Sequence, residues 1–357
     1  MGGSLLTSGS VLNVVSNVVK RDLGGGGLIL VVSAMKGVTD NLIMAYENKD
    51  VNLLGKALEQ YAEEAYNLGL TYMERALEYV GQELRELISI REPWARDYFI
   101  VHGELLSVLL IEGVLRDVLG INAKAVYNPG IVTNENWGEA MVMPESEGAV
   151  REVMMRVLGK YDVVVVPGFL GVSTEGRYTS LGRGGSDYTA SLIASYLNAE
   201  KLTYYTDSGG VLSGDPRIVD SPTLVPMLSY EEAHAASRVG AKKFHPRTFE
   251  PLMKSRVRTF ITSPWSPEGT YVVNDCVRYP KVVSVKGLGD GAALVSVIGC
   301  VMDEEEYKGE VMELMMGYEP LNVVELSRDV VSVRVREWDV GVKLARELHS
   351  WVRRWIA

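Results

Sequence analysis

Short apolar runs recur along this chain, each too brief for a helix and each followed by a longer stretch with helical spacing. Leu28 to Ser33, Ala123 to Tyr127, Asp162 to Val166 and Leu202 to Thr206 are rich in valine, leucine, alanine or tyrosine. Runs of this kind read as strands buried on both faces, as in a parallel sheet whose crossovers are helices. The alternation predicts an α/β sandwich.

Two regions depart from it. Between Asn41 and Leu119 the chain is poor in strands, and Leu54, Leu58, Tyr61, Ala65 and Leu68 recur at helical spacing, so a helical lobe is expected there. After Tyr279-Pro280, four strands (Val282 to Val285, Ala293 to Ile298, Asn322 to Leu326, Val330 to Val335) interleave with two helices (Glu304 to Gly317, Val340 to Trp355). That order fits a small α+β unit of ferredoxin-like type, with dimerisation as its simplest role. A length of 357 residues suits two such domains.

A net charge of -10 and a pI near 5.1 argue against a nucleic-acid binder. The apolar runs are too short to cross a bilayer and no cationic leader opens the chain, so a cytoplasmic protein without membrane partners is expected. Cys276 and Cys300 stand at a spacing that matches no metal or redox motif, so neither a structural metal nor a disulfide is expected, and no metal ligands are assigned.

Five turns carry the chemistry. Thr179 to Asp187 reads TSLGRGGSD: three glycines free the backbone, Arg183 offers a planar fork to a carboxylate or phosphate, and Ser186 and Asp187 stand where helix N-caps usually stand. VVSAMKGVTD, from Val31, ends a strand in a turn that faces the ligand crevice of an α/β sheet, where Ser33 and Thr39 can bond substrate; N-capping alone also accounts for Thr39. In VHGELLS, Glu104 opens a helix as a dipole cap or as a partner for an ammonium group. YYTDSGGVLSGDPRIV, from Tyr204, offers backbone amides and an arginine to a nucleotide. GAKKFHPRT, from Gly240, groups Lys242, Lys243, His245 and Arg247, as a solvated face or a phosphate-contacting loop. Such turns, without a metal cage or a Ser/His/Asp arrangement, point to phosphoryl transfer, which needs mainly positioning and positive charge.

These blocks, with VVPGFLG and LSYEEA, resemble in order and spacing the successive signatures of the aspartate kinases, within the amino-acid kinase superfamily, across residues 2 to about 275. The C-terminal unit resembles an ACT domain. The resemblance implies a three-layer αβα sandwich with a mainly parallel central sheet as catalytic domain (residues 1 to 275, helical lobe about 41 to 119), and an ACT-like regulatory or dimerisation domain at 280 to 357. It implies transfer of the γ-phosphoryl group of ATP, with Mg2+ held mainly by the nucleotide, to the side-chain carboxylate of L-aspartate, in biosynthesis of the lysine, threonine and methionine family. Arg183 would then grip a substrate carboxylate and Glu104 the α-ammonium, with Ser33, Thr39 and Ser186 completing the substrate site. Asp187 would organise the transfer centre with Lys242, which would face the ATP phosphates. Gly2, Gly3, Ser4, Thr206, Asp207, Asp215 and Arg217 would contact the nucleotide. A homodimer or higher homo-oligomer through the ACT-like domain is implied.

The sequence departs from that pattern in three places. Relatives usually open with a strand and a Lys-Phe-Gly-Gly turn, whereas Met1 directly precedes Gly2 and Gly3, so a truncated or mis-started frame is expected, with Lys36 as a partial substitute for the lysine. Ser208-Gly209-Gly210 replaces the TDVDG turn of many relatives, and the C-terminal region has room for about one ACT domain rather than two. A homoserine kinase, or a catalytically silent paralogue that binds amino acid or nucleotide, is the alternative.

Overall fold

The computed structural model describes residues 1–241 and 244–356. The chain divides into two compact units, Met1–Leu197 with Tyr205–Asp207, and Asn198–Tyr204 with Ser208–Ala357. The boundary expected near residues 275 to 280 falls inside the second.

The first unit begins with α1 (Val11–Asp22), β1 (Leu28–Val32) and five successive helices: α2 (Val38–Asn48), α3 (Val51–Asn67), α4 (Tyr72–Leu87), α5 (Pro93–Ile100) and α6 (His102–Gly113). It continues with β2 (Ala123–Ala125), β3 (Val132–Thr133), α7 (Ser146–Val157), β4 (Val163–Pro167), β5 (Leu170–Ser173), β6 (Tyr178–Ser180) and α8 (Gly185–Tyr196). Strand β4, buried throughout, pairs in parallel with β1 (Leu28 opposite Val163, Val32 opposite Pro167) and with β2. Its neighbours divide by parity, as the pleat requires. Leu30, Val32, Val163 and Val165 pack with the buried faces of α1, α3 and α6, whereas Val31, Val164 and Val166 pack with Met154 of α7 and with Leu192 and Ile193 of α8. Helices therefore cover both faces of a parallel sheet, the layering expected from the sequence. A second small sheet, in the order β3-β5-β6, lies beside the turn that leads into α8.

Local chemistry accounts for the helical lobe. Asp50 caps α3 by accepting the N–H groups of Asn52 and Leu53 at 2.8 and 3.3 Å, and Pro93 opens α5 where a missing N–H costs nothing. The helical stretch Pro93–Val118, which includes α6 and a π-helical turn at Val114–Val118, is long and apolar enough to cross a membrane by length and composition. The runs Leu28 to Val32 and Val163 to Val166, expected to be too short for that, lie in strands of five residues. An apolar window of 18 residues within Pro93–Val118 is 78% buried in the protein, which is how the core helix of an α/β unit reads.

The second unit holds β7 (Lys201–Tyr205, whose last residue belongs to the first unit), β8 (Met227–Ser229), α9 (Tyr230–Val239), α10 (Glu250–Ser255), β9 (Arg258–Thr262) and β10 (Gly269–Val273). Their sheet order is β7-β9-β10-β8. The run Leu202 to Thr206 is thus a strand, but it lies in a different hydrogen-bonded ladder from β1 and β4. Apolar composition marks a buried strand and does not choose its neighbours.

Elements β11 (Val282–Gly287), β12 (Ala293–Ile298), α11 (Glu305–Met316), β13 (Asn322–Leu326), β14 (Val330–Val335) and α12 (Trp338–Ile356) form the C-terminal module within one residue or two of expectation at most ends. Their sheet is antiparallel throughout, in the order β11-β12-β14-β13. Counted from β12, this is the ferredoxin-like order with the fourth strand supplied from the N-terminal side as β11. Cys276 and Cys300 are joined by a disulfide, with Cα atoms 6.0 Å apart, against the expectation of none. Sequence spacing says nothing about two cysteines that tertiary structure brings within bridging distance.

Candidate functional site

The strand ends of the first unit bring five sequence blocks together at the carboxyl ends of β1 and β4, where an open α/β sheet presents its crevice. The Met1 nitrogen donates to Val31 O at 2.7 Å, Ser33 N–H donates to Met1 O at 3.3 Å, and Gly2 N–H donates to Tyr205 O at 3.1 Å. Residues 1 and 2 therefore lie between the end of β1 and the segment that carries Thr206 and Asp207. Gly3 sits so close to the Ser33 turn that an added Cβ would stand 2.7 Å from Ala34 O, so only glycine fits without movement. Ser4 is exposed at the start of a 3-10 turn, Gly3–Leu5.

On the far side of the turn, the start of α6 approaches as closely. A Cβ on Gly103 would meet that of Ala34 at 2.8 Å. The next residue, Glu104, is 3% exposed; its Oε1 accepts the Ala34 N–H at 3.2 Å, while Oε2 has no partner among the described residues. Burial pushes this carboxyl up to about 8, against the Ala34 N–H, which favours the anion. A buried carboxylate oxygen without a donor is costly unless something completes it.

Gly168, after β4, donates its N–H to Val32 O at 2.9 Å and abuts Ser186, whose Cβ would lie 2.5 Å from an added Cβ. Phe169 follows with φ of 63°, a left-handed conformation uncommon for a bulky side chain. Gly184, with φ of 76°, is the N-cap of α8, so Ser186 and Asp187 lie in the first helical turn rather than at the cap. Thr39 likewise occupies the first turn of α2, whose N-cap is Gly37 with φ of 81°, and it is not the cap. Two helix starts thus carry the polar residues themselves. Their backbone amides also favour an anion.

Arg183 projects into solvent, its side chain 90% exposed, and meets Asp40, the residue after Thr39, at 3.4 Å. Ser33, Thr39, Ser186 and Asp187 are half-buried, and Lys36 is exposed. Ser33, Thr39, Glu104, Arg183, Ser186, Asp187, Gly2, Gly3, Ser4, Thr206 and Asp207 all belong to the first unit. Asp215 and Arg217 belong to the second, where they form a bidentate pair: Arg217 Nε and Nη2 donate to the Asp215 carboxylate at 3.0 and 2.6 Å. Lys242 lies outside the described residues.

Three supporting residues carried no functional signal in the sequence. Tyr61 reads as part of an apolar helix face and the sequence does not single out Glu64, yet both reach into polar turns; Glu64 is 1% exposed and accepts the N–H groups of Gly9 and Val11. Asp97, fully buried on α5, accepts the N–H of Gly138 at 3.0 Å and that of Ser180 at 2.8 Å, and so fixes the loop and strand end that flank Gly182. An aspartate among the apolar residues of PWARDYFI is the one cue that was present.

The amino acid kinase family, compared as a sequence model, matches residues 1–263. The lysine-sensitive aspartokinase 3 of Escherichia coli K12 is 28% identical over 301 residues, covering 78% of this chain and 64% of that protein. The aspartokinase of Chlamydia pneumoniae is 28% identical over 369 residues, covering 96% of this chain and 80% of that protein. The chain thus spans under two thirds of the length of the E. coli relative. Among solved structures, E. coli aspartokinase III in complex with aspartate and ADP superposes with a TM-score of 0.87 at 22% identity, covering 98% of each chain.

Proposed function

The chain belongs to the amino acid kinase family, and on that premise we propose that it transfers the γ-phosphoryl group of MgATP to the side-chain carboxylate of L-aspartate. A carboxylate oxygen attacks the γ-phosphorus, the bond to the bridging oxygen breaks, and ADP and an acyl phosphate leave. The observation that carries this reading is Glu104. A buried carboxylate with one oxygen unpartnered is suited to a cationic ligand group, and an α-ammonium satisfies both its charge and its hydrogen-bonding capacity.

The rest of the site fits an amino acid with a second carboxylate. Arg183, whose contact to Asp40 joins two exposed groups, is available to a substrate carboxylate. Ser33, Thr39 and Ser186 offer hydroxyls, and the first turns of α2 and α8 favour the anionic end. Asp187 then organises the transfer centre, Gly2, Gly3 and Ser4 approach the phosphates, and Thr206 and Asp207 face the nucleotide. Asp215, Arg217 and Lys242 belong to the same proposal as nucleotide contacts. Aspartokinase relatives support the choice of aspartate.

Residues 1 to 275 are assigned to catalysis and 280 to 357 to regulation or self-association in a cytoplasmic enzyme. Exposed Val323, Val324 and Leu326 on β13, an edge strand with a free ladder side, support a homodimer through the C-terminal module. The test is ADP release from MgATP with aspartate or with homoserine. Aspartate-dependent release supports the proposal. Release with homoserine alone, or with neither, overturns it.

A further inference from the structure

We infer that Tyr61 is a positioning residue for substrate, holding Glu104 and the Ser33 turn at a fixed separation; the inference rests on the aspartate reading of that site. Tyr61 projects from α3, outside the sheet and the ligand turns, and its side chain is fully buried. Its hydroxyl accepts the Met35 N–H at 3.1 Å, donates to Gly103 O at 2.7 Å and lies 2.9 Å from Ser107 Oγ. A phenol has one proton and two lone pairs. With the proton on Gly103 O, both lone pairs are filled by Met35 N–H and the Ser107 hydroxyl, and the set closes with nothing left over.

The three partners are not arbitrary. Met35 lies two residues after Ser33 and directly after Ala34, whose N–H holds Glu104 Oε1. Gly103 and Ser107 bracket Glu104 on α6. Tyr61 therefore ties the same two elements that Glu104 ties, through different atoms of each. A shift of either element changes where the unpartnered Oε2 points. Glu64, one helical turn further along α3, holds the Gly9 to Val11 backbone in the same way, so α3 serves as a brace for two polar turns.

A structural tyrosine and a positioning tyrosine are told apart by which substrate suffers. In Tyr61→Phe, the aspartate dissociation constant measured by calorimetry on the full chain rises at least tenfold, the KM for ATP changes less than twofold, and hydrogen exchange quickens in the segment 33–37. Ser107→Ala removes one partner and keeps the ring, so it gives a smaller loss in the same direction even where Tyr61→Phe folds poorly. Unchanged aspartate binding with unchanged exchange at 33–37 overturns the inference, as does equal weakening of aspartate and ATP. A wild-type chain that binds ATP but not aspartate overturns the aspartate reading itself, while faster exchange at 33–37 in Tyr61→Phe still supports the brace.

Discussion

Glu104 and Ala34 share one hydrogen bond, 3.2 Å from the Ala34 N–H to Oε1, and the other carboxylate oxygen of Glu104 is buried with no partner among the described residues. That half-satisfied carboxylate decides how the site responds to protons.

Burial holds the ligand-free carboxyl at about 8, so it is mostly protonated at neutral pH. An incoming ammonium favours the ionised form, and binding must release a proton. Aspartate affinity should therefore rise as pH goes from 6 to 8. Calorimetry at pH 7 in buffers of different ionisation heat should show close to one proton released per aspartate bound. Glu104→Gln should release none and bind aspartate at least tenfold more weakly. The stability effect has the opposite sense. The folded state holds a proton that the unfolded chain gives up near 4.5, so stability falls as pH rises from there through about 8, and Glu104→Gln flattens that fall.

Arg183→Ala should raise the KM for aspartate at least tenfold with little change in melting temperature. The side chain is 90% exposed, and its 3.4 Å contact to Asp40 joins two solvated groups, so the fold loses little when it goes. An unchanged KM removes Arg183 from the substrate site.

Asp97→Ala should destabilise the first unit by about 2–4 kcal/mol, because the buried N–H of Ser180 and the half-buried N–H of Gly138 lose their shared acceptor. The same change should loosen the turn that carries Arg183 and weaken aspartate binding beyond what stability explains. Asp97→Asn, which keeps an acceptor oxygen, should recover part of both. Denaturant unfolding together with aspartate titration measures the two effects separately.

In the second unit, Glu232 and Lys281 form a fully buried ion pair. Glu232 also accepts the N–H groups of Ser229 at 2.7 Å and Cys300 at 2.8 Å, and Lys281 Nζ donates to Val277 O at 2.6 Å. Burial lowers the Lys281 pKa and Glu232 opposes that shift. Glu232→Ala strands the lysine and two amides and should cost about 3–5 kcal/mol, read from denaturant unfolding. A cost under about 1 kcal/mol would contradict this account of the pair.

Strand identity was legible in the sequence wherever both faces of a strand are buried, because Val163 to Val166 leave no alternation to misread. The C-terminal module was legible for the converse reason: its strands and helices alternate over short distances and punctuate cleanly. Ladder membership was not, as β7 illustrates, since hydrogen bonds between strands follow from tertiary packing. Gly3, Gly103 and Gly168 stood within recognised blocks, yet only the structure gives each its reason, a neighbour too close for a Cβ. Tyr61, Glu64 and Asp97 stayed hidden because all their partners but the Ser107 hydroxyl are backbone groups, 26 to 83 residues away, and a backbone group carries no sequence signature.

With aspartate as the phosphoryl acceptor the product is an acyl phosphate, which differs from other phosphorylated products in reacting with hydroxylamine. The purified chain of 357 residues incubated with MgATP, L-aspartate and hydroxylamine should yield aspartyl hydroxamate in proportion to ADP released, and Glu104→Gln should suppress both together. ADP release without hydroxamate, or hydroxamate formation that Glu104→Gln leaves intact, would contradict the account.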